Sequence, residues 1–107
     1  MKVVVLQSAE ADLRNLKNYI VSKLGTEAWM ASYTKIKESV AMIQSNPKAG
    51  RIPLELERLE IAQYRQILSG VNRIIYEVRD STAYIHVFCD SRRDLQTLLM
   101  RRLVDPR

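Results

Sequence analysis

The run YRQILSGVNRIIYEVRDSTAYIHVFCDSRRD, Tyr64 to Asp94, decides the fold. It holds three strand-like segments, Tyr64 to Leu68, Asn72 to Val78 and Thr82 to Cys89, with a turn near Ser69 and Gly70 and a polar turn at Arg79 to Ser81. Turns this short between strands of similar length predict an antiparallel meander. Side chains alternate along a strand, so Ile74, Tyr76 and Val78 share one face while Arg73, Ile75 and Glu77 share the other. In the next strand Ala83, Ile85, Val87 and Cys89 alternate with Tyr84, His86 and Phe88. Placing the first set of each strand under helices leaves Arg73, Tyr84, His86 and Phe88 as a basic and aromatic opposite face.

Toward the N-terminus, Val3, Val4, Val5 and Leu6 form a strand apolar on both alternations, which suits coverage of both faces. Ser8 stands where a helix N-cap belongs, with Glu10 and Asp12 in the first turn. Ala9, Leu13, Leu16, Ile20 and Leu24 then fall on one stripe, and Gly25 supplies a stop. Thr26 caps a second helix in which Trp29, Tyr33, Ile36, Val40 and Ile43 recur at helical spacing, ended by Asn46 and Pro47. So short a link predicts an antiparallel helical hairpin packed on one face of the sheet. Residues 47–60, PKAGRIPLELERLE, read as a surface connection with one irregular turn.

Beyond the meander, Leu95, Leu98, Leu99 and Leu103 repeat at helical spacing. Ser91 to Asp94 fits a variant capping box with Asp at the third helical position, which puts Arg92 and Arg93 in the first turn. Cations there oppose the helix dipole by roughly 0.3 to 1 kcal/mol each, so stability alone would not select them. A partner carboxylate or phosphate would reverse that sign. Neutralisation within the fold by Asp94, Asp90 or Glu77 is the competing explanation. The expected class is α+β in the order βααβββα, an antiparallel sheet with the hairpin on one face and a short C-terminal helix, forming one domain over residues 1–107.

The 107 residues carry a formal charge of +5 with a sequence pI near 9.6. Acidic protein or nucleic-acid partners are favoured by that balance. The excess is uneven: residues 1–53 hold +4 and residues 54–107 only +1. From Ile52 onward every basic residue is arginine, whose planar fork grips carboxylate or phosphate with two parallel bonds where lysine acts as a point charge. No apolar stretch approaches the roughly 18 residues of a membrane span, and the four-residue apolar run at the start is too short for a signal peptide. Cys89, the only cysteine, excludes an intrachain disulfide and reads as a small buried hydrophobe in a reducing cytoplasm.

His86 is the only histidine, hence the side chain best suited to proton transfer near neutrality, although a mid-strand histidine is more often packed. Arg73 could meet an anion or a cross-strand carboxylate such as Glu77 or Glu60, and Arg65 depends on register. No metal set, glycine-rich phosphate loop or Ser/His/Asp set occurs, and no cofactor is expected.

The segments YRQILSGVNRIIYEV, Tyr64 to Val78, and AYIHVFCDSRRDL, Ala83 to Leu95, resemble the RelE/ParE toxin superfamily of bacterial type II toxin–antitoxin modules, most closely its ParE branch. The SAEADL start at Ser8 to Leu13 and the NPxxGR segment at Asn46 to Arg51 fit as well. The resemblance implies a cytoplasmic toxin that inhibits DNA gyrase, of the kind linked to plasmid stabilization. It would be silenced by a ParD-like antitoxin in a hetero-oligomer and make no sequence-specific DNA contact of its own. It further implies target-binding roles for Arg92 and Arg93, which match the ParE-type motif with Asp94, supported by Arg73, the strand arginine shared across the superfamily, and by Arg65. Asp90 stands where many relatives have histidine, which leaves open a decayed toxin that only binds antitoxin. A RelE-like ribosome-dependent endoribonuclease would draw on Arg73 and His86. Its catalytic set is incomplete here, since no tyrosine follows Tyr84 and no lysine follows Lys48. The expectation is a binding toxin and not an enzyme.

Overall fold

The computed structural model describes the backbone of residues 1–104 and side chains through Arg102, so the side chain of Leu103 and residue Arg107 lie outside the described residues. The elements are β1 (Lys2–Val5), α1 (Gln7–Leu24), α2 (Thr26–Ser45), α3 (Leu54–Glu57), β2 (Tyr64–Ser69), β3 (Asn72–Arg79), β4 (Thr82–Asp90) and α4 (Leu95–Val104). This is the expected order with one short helix, α3, inside the 47–60 connection. The four strands run β1-β4-β3-β2, with the β2-β3-β4 meander antiparallel as predicted. The sheet as a whole is mixed, because β1 joins β4 in parallel, Val3 opposite Ala83 and Val5 opposite Ile85. A parallel neighbour needs a long crossover, and the whole helical hairpin lies between β1 and the meander.

Helix starts differ from the simple capping expectation. Helix α1 begins at Gln7 behind an extended Leu6 with no side-chain cap, so Ser8 lies within the first turn. Gly25, at φ 95°, both ends α1 and opens α2: its N–H donates to the Ile20 and Val21 carbonyls while its own carbonyl accepts from Trp29 N–H. Only glycine adopts that φ readily, and with one residue serving both helices Thr26 has no capping role.

The largest departure concerns the faces of the sheet. Up to Ile85 the strands alternate as expected, but the register slips between Ile75 and Tyr76, where Ile75 faces Val87 and Tyr76 faces Ile85. His86 is the extra residue of a β-bulge, and beyond it every side chain changes sides. Phe88, expected on the open face, is 4% exposed and packs with Ile36, Ile43, Ile74, Tyr76 and Ile85 beneath the hairpin. Val87 and Cys89 go to the other face. That face is not open: Leu56 of α3 and Leu95 and Leu99 of α4 cover it in a second core with Tyr64, Ile75, Val87 and Cys89. The stripe on α1 and α2 holds except at its ends, since Leu24 is 71% exposed and Tyr33 stacks on buried Trp29 with its ring half in solvent.

Two connections have evident chemical causes. Asp80 and Ser81 both take positive φ between paired Arg79 and Thr82, the type I′ geometry that matches strand twist. Gly50, in the NPxxGR segment, donates its N–H to the Tyr76 hydroxyl (2.9 Å), and that hydroxyl donates to the Pro47 carbonyl (2.7 Å). A Cβ on Gly50 would meet the Tyr76 ring and, at 2.9 Å, the Gln66 carbonyl oxygen. This motif is therefore a clamp on the sheet, continued by the Arg51 bridge to Gln66.

Candidate functional site

The turn between β4 and α4 is built from its own side chains. Ser91 N–H donates to the Val71 carbonyl (2.8 Å), which moors the turn to the β2–β3 hairpin, and Arg93 N–H donates to the Asp90 carbonyl (3.0 Å). Asp90 accepts from both the backbone N–H of Arg92 (2.8 Å) and its Nε (2.9 Å). The Arg92 hydrogen bonds hold the Asp90 carboxyl below the usual range. Asp94 directly precedes Leu95 and accepts from the Thr97 N–H (3.2 Å) and hydroxyl (2.8 Å). It is thus itself the N-cap of α4, and the capping box expected from Ser91 starts three residues too early. Arg92 and Arg93 stand outside the helix, exposed, with Asp94 between them and its dipole. Arg92 is paired with Asp90 at 85% side-chain exposure, whereas Arg93 has no ion-pair partner among the described residues.

Helix α4 is fixed beneath this turn by a tie that sequence reading missed. The bond ladder between β1 and β4 stops at Ile85, so the rest of β4 pairs with β3 alone. On that free edge Asp12 of α1 accepts from Phe88 N–H (3.1 Å), and Arg102 of α4 donates to the His86 carbonyl (2.6 Å). Arg102 and Asp12 also pair with each other (2.5 Å). Burial pushes the Asp12 carboxyl up, against the opposing pull of Arg102. Asp12 reads from sequence as a dipole-complementing first-turn acid, and nothing in the chain order signals a partner ninety residues away.

Arg73 and Arg65 are engaged inside the fold. Arg73, 5% exposed, donates two bonds to Glu55 of α3 (3.0 and 2.9 Å) and a third from Nε to Gln66 (2.8 Å). Its face was assigned correctly, but the partner is neither Glu77 nor Glu60, and the Arg73 bonds hold the Glu55 carboxyl below its ordinary value. Arg65 donates to the Gly50 carbonyl (2.8 Å), securing the NPxxGR clamp. His86 sits edge-on to the Tyr64 ring with Nε2 3.1 Å from Glu77, and burial holds its pKa below the ordinary histidine value despite that carboxylate. Along the sheet Arg73 lies opposite Cys89 and His86 lies at the bulge; fully buried Ile75 and Val87 separate them. The two residues of the nuclease alternative are not brought together. Burial also pushes the Cys89 thiol up, which keeps it protonated and unreactive.

Beside Arg92 and Arg93 opens a groove of about 650 Å³. Helix α1 forms one wall through Asp12, Asn15, Leu16, Tyr19 and Ile20, the β2–β3 hairpin contributes Val71 and Asn72, and Phe88, Cys89, Asp90 and Leu98 complete the lining with the two arginines. Among the described residues no three His, Cys, Asp or Glu side chains gather as a metal site, and no helix is long and apolar enough to cross a membrane.

These features define a small α+β protein of the RelE/ParE type. A solved structure described as the chromosomal ParDE TA system from P. aeruginosa is similar with TM-score 0.70 and 20% identity, covering 84% of this chain and 95% of that one. No curated protein matches. Residues 3–95 match the family described as ParE toxin of type II toxin-antitoxin system, parDE, and the chain belongs to that family. It is the toxin component of a type II toxin–antitoxin system.

Proposed function

We propose that this toxin acts in the cytoplasm by binding DNA gyrase and blocking replication, without chemistry of its own, and that a ParD-like antitoxin neutralises it in a hetero-oligomer. The supporting observation is the division of labour among the arginines. Arg92 and Arg93 project from a hydrogen-bonded turn outside α4, while Arg73 and Arg65 spend their donors holding α3 and the 46–51 clamp to the sheet. Arg92 and Arg93 make the target contacts in this reading, and Arg73 and Arg65 support them as scaffold. Phosphodiester cleavage needs a base, an acid and a charge stabiliser around one phosphate. Arg73 and His86 are each committed elsewhere and separated by core. Asp90 orients Arg92 in this account, which gives the residue in place of histidine a part in a working turn.

The test is to incubate the purified protein with gyrase and supercoiled plasmid, with transcript mapping after expression in bacteria. Trapped, cleaved DNA complexes support the proposal. Intact supercoiling with transcripts cut at ribosomal A sites would sink it, and no effect in either assay would point to a toxin that only binds antitoxin.

A further inference from the structure

We infer that the outer edge of β1 is a self-pairing surface, through which a second copy of this chain adds its own β1 in antiparallel register across a two-fold axis. The order β1-β4-β3-β2 makes β1 an edge strand. Such a strand offers a row of unpaired main-chain groups, which proteins usually cover or blunt. Elsewhere this fold does so. Gln66 of β2 exchanges both main-chain bonds with Arg51 (3.0 and 2.6 Å), and the part of β4 beyond β1 is capped at His86 and Phe88 by Arg102 and Asp12. The edge of β1 has neither device.

The direction of its free groups follows from one bond. Leu6 N–H donates to the Ile85 carbonyl (3.0 Å) in a parallel ladder that sets Val3 opposite Ala83 and Val5 opposite Ile85. The N–H and C=O of one strand residue point to the same side, and successive residues alternate. Val4 and Leu6 are therefore directed at β4, while Val3 and Val5 turn both groups outward, with no main-chain partner among the described residues. No proline or glycine interrupts the run from Lys2 to Leu6.

This edge is complementary to itself. An antiparallel partner centred on Val4 sets Val3 against Val5 of the second copy and Val5 against its Val3, each pair exchanging both main-chain bonds. Val4 then meets its counterpart in the close, non-hydrogen-bonded position, a β-branched pair on the face it shares with Tyr84. Charge agrees with the register. Lys2 comes opposite Leu6 of the second copy, whose carbonyl accepts from the Glu10 N–H in the first turn of α1. Lys2 and Glu10 are both exposed and in no ion pair among the described residues, so opposite charges approach while the two lysines stay apart. Because β1 lies beside Thr82 to Ile85 and Arg92 follows the far end of β4, pairing leaves the arginine turn uncovered. So short a contact makes a weak dimer, with a Kd of about 0.1–1 mM.

The test follows the full-length protein by sedimentation velocity and by hydrogen exchange of its backbone amides, from about 10 µM to several times the expected Kd of about 0.1–1 mM. The expected result is a monomer that passes into a dimer over that range. Exchange at Val3 and Val5 slows as it does so, while Val4, already bonded to β4, changes little. Val4→Lys and Val4→Glu each set like charges across the axis and keep the main-chain bonds to β4. Each alone should dimerise about tenfold or more weakly, and an equimolar mixture of the two should recover the wild-type association. A protein that stays monomeric throughout, a dimer in which Val3 and Val5 exchange as fast as in the monomer, or charged variants that dimerise as wild type does would overturn the inference. So would slowed exchange at those two amides only on adding an antitoxin, which would give the edge to that partner. Should both charged variants unfold, the exchange measurement on the unsubstituted chain decides. Gyrase is absent throughout, so this result and that of the plasmid assay can fail separately.

Discussion

Arg73 illustrates how much of a residue's role depends on what covers it. Alternation along β3 put it on the correct face, yet its enclosure follows from α3, formed by a proline-flanked segment with little periodic signal. Arg73→Ala should lower stability by about 1–3 kcal/mol, since it strands Glu55 and Gln66, and Glu55→Gln should shift the urea midpoint the same way. Loss of toxicity in Arg73→Ala with an unchanged midpoint would instead move it to the contact surface. Gly50→Ala forces a methyl against Tyr76 and the Gln66 carbonyl and should cost about 1–3 kcal/mol by thermal melting. At His86 the folded pKa is depressed by burial below the unfolded value near 6.5. The unfolded chain therefore binds the proton more tightly, so this residue's stabilisation is present above about pH 6.5 and lost as pH falls toward the folded pKa. His86→Phe should flatten the dependence of melting temperature on pH in that window, and an unchanged slope would refute the assignment.

Elements were legible in proportion to their periodicity. The hairpin and the meander carry long patterns and came out in order, whereas the bulge at His86 did not, because one inserted residue leaves local composition unchanged while inverting Val87, Phe88 and Cys89. The start of α4 was displaced for a similar reason: Ser91 and Asp94 have capping chemistry at capping-box spacing, but the backbone N–H of Ser91 that the box would pair with Asp94 donates to the Val71 carbonyl, and Asp94 caps alone from the position before Leu95. Asp94→Ala should fray α4 and lower the melting temperature, with Asp94→Asn retaining most of the stability because the amide oxygen still accepts. The Asp12–Arg102 tie holds α4 to α1 across the free edge of β4. Asp12→Ala should cost about 1–3 kcal/mol by leaving Arg102 and Phe88 N–H without their partner, and the double variant Asp12→Ala, Arg102→Met should cost less than the sum of the single changes. In the β3–β4 turn, Ser81→Gly should raise stability by about 0.5–1 kcal/mol, since serine there is held at φ 63°.

Over the whole molecule, two cores on opposite sides of one sheet share β4, and the turn that leaves it carries the exposed arginines. The arginine bias of the second half therefore has two origins. Part of it welds α3, α4 and the 46–51 clamp to the sheet, and part, Arg92 and Arg93, faces outward beside an apolar groove. Sequence alone could count these cations but not divide them, because the division is made by partners distant in the chain such as Glu55 and Asp12. The central claim is that the outward pair grips gyrase, and it is tested most directly with the Arg92→Ala, Arg93→Ala double variant in the plasmid assay. The account predicts that wild-type protein traps gyrase–DNA cleavage complexes while the variant, melting at nearly the same temperature, does not. A variant that traps gyrase as well as wild type, or a wild-type protein that traps none, would contradict it.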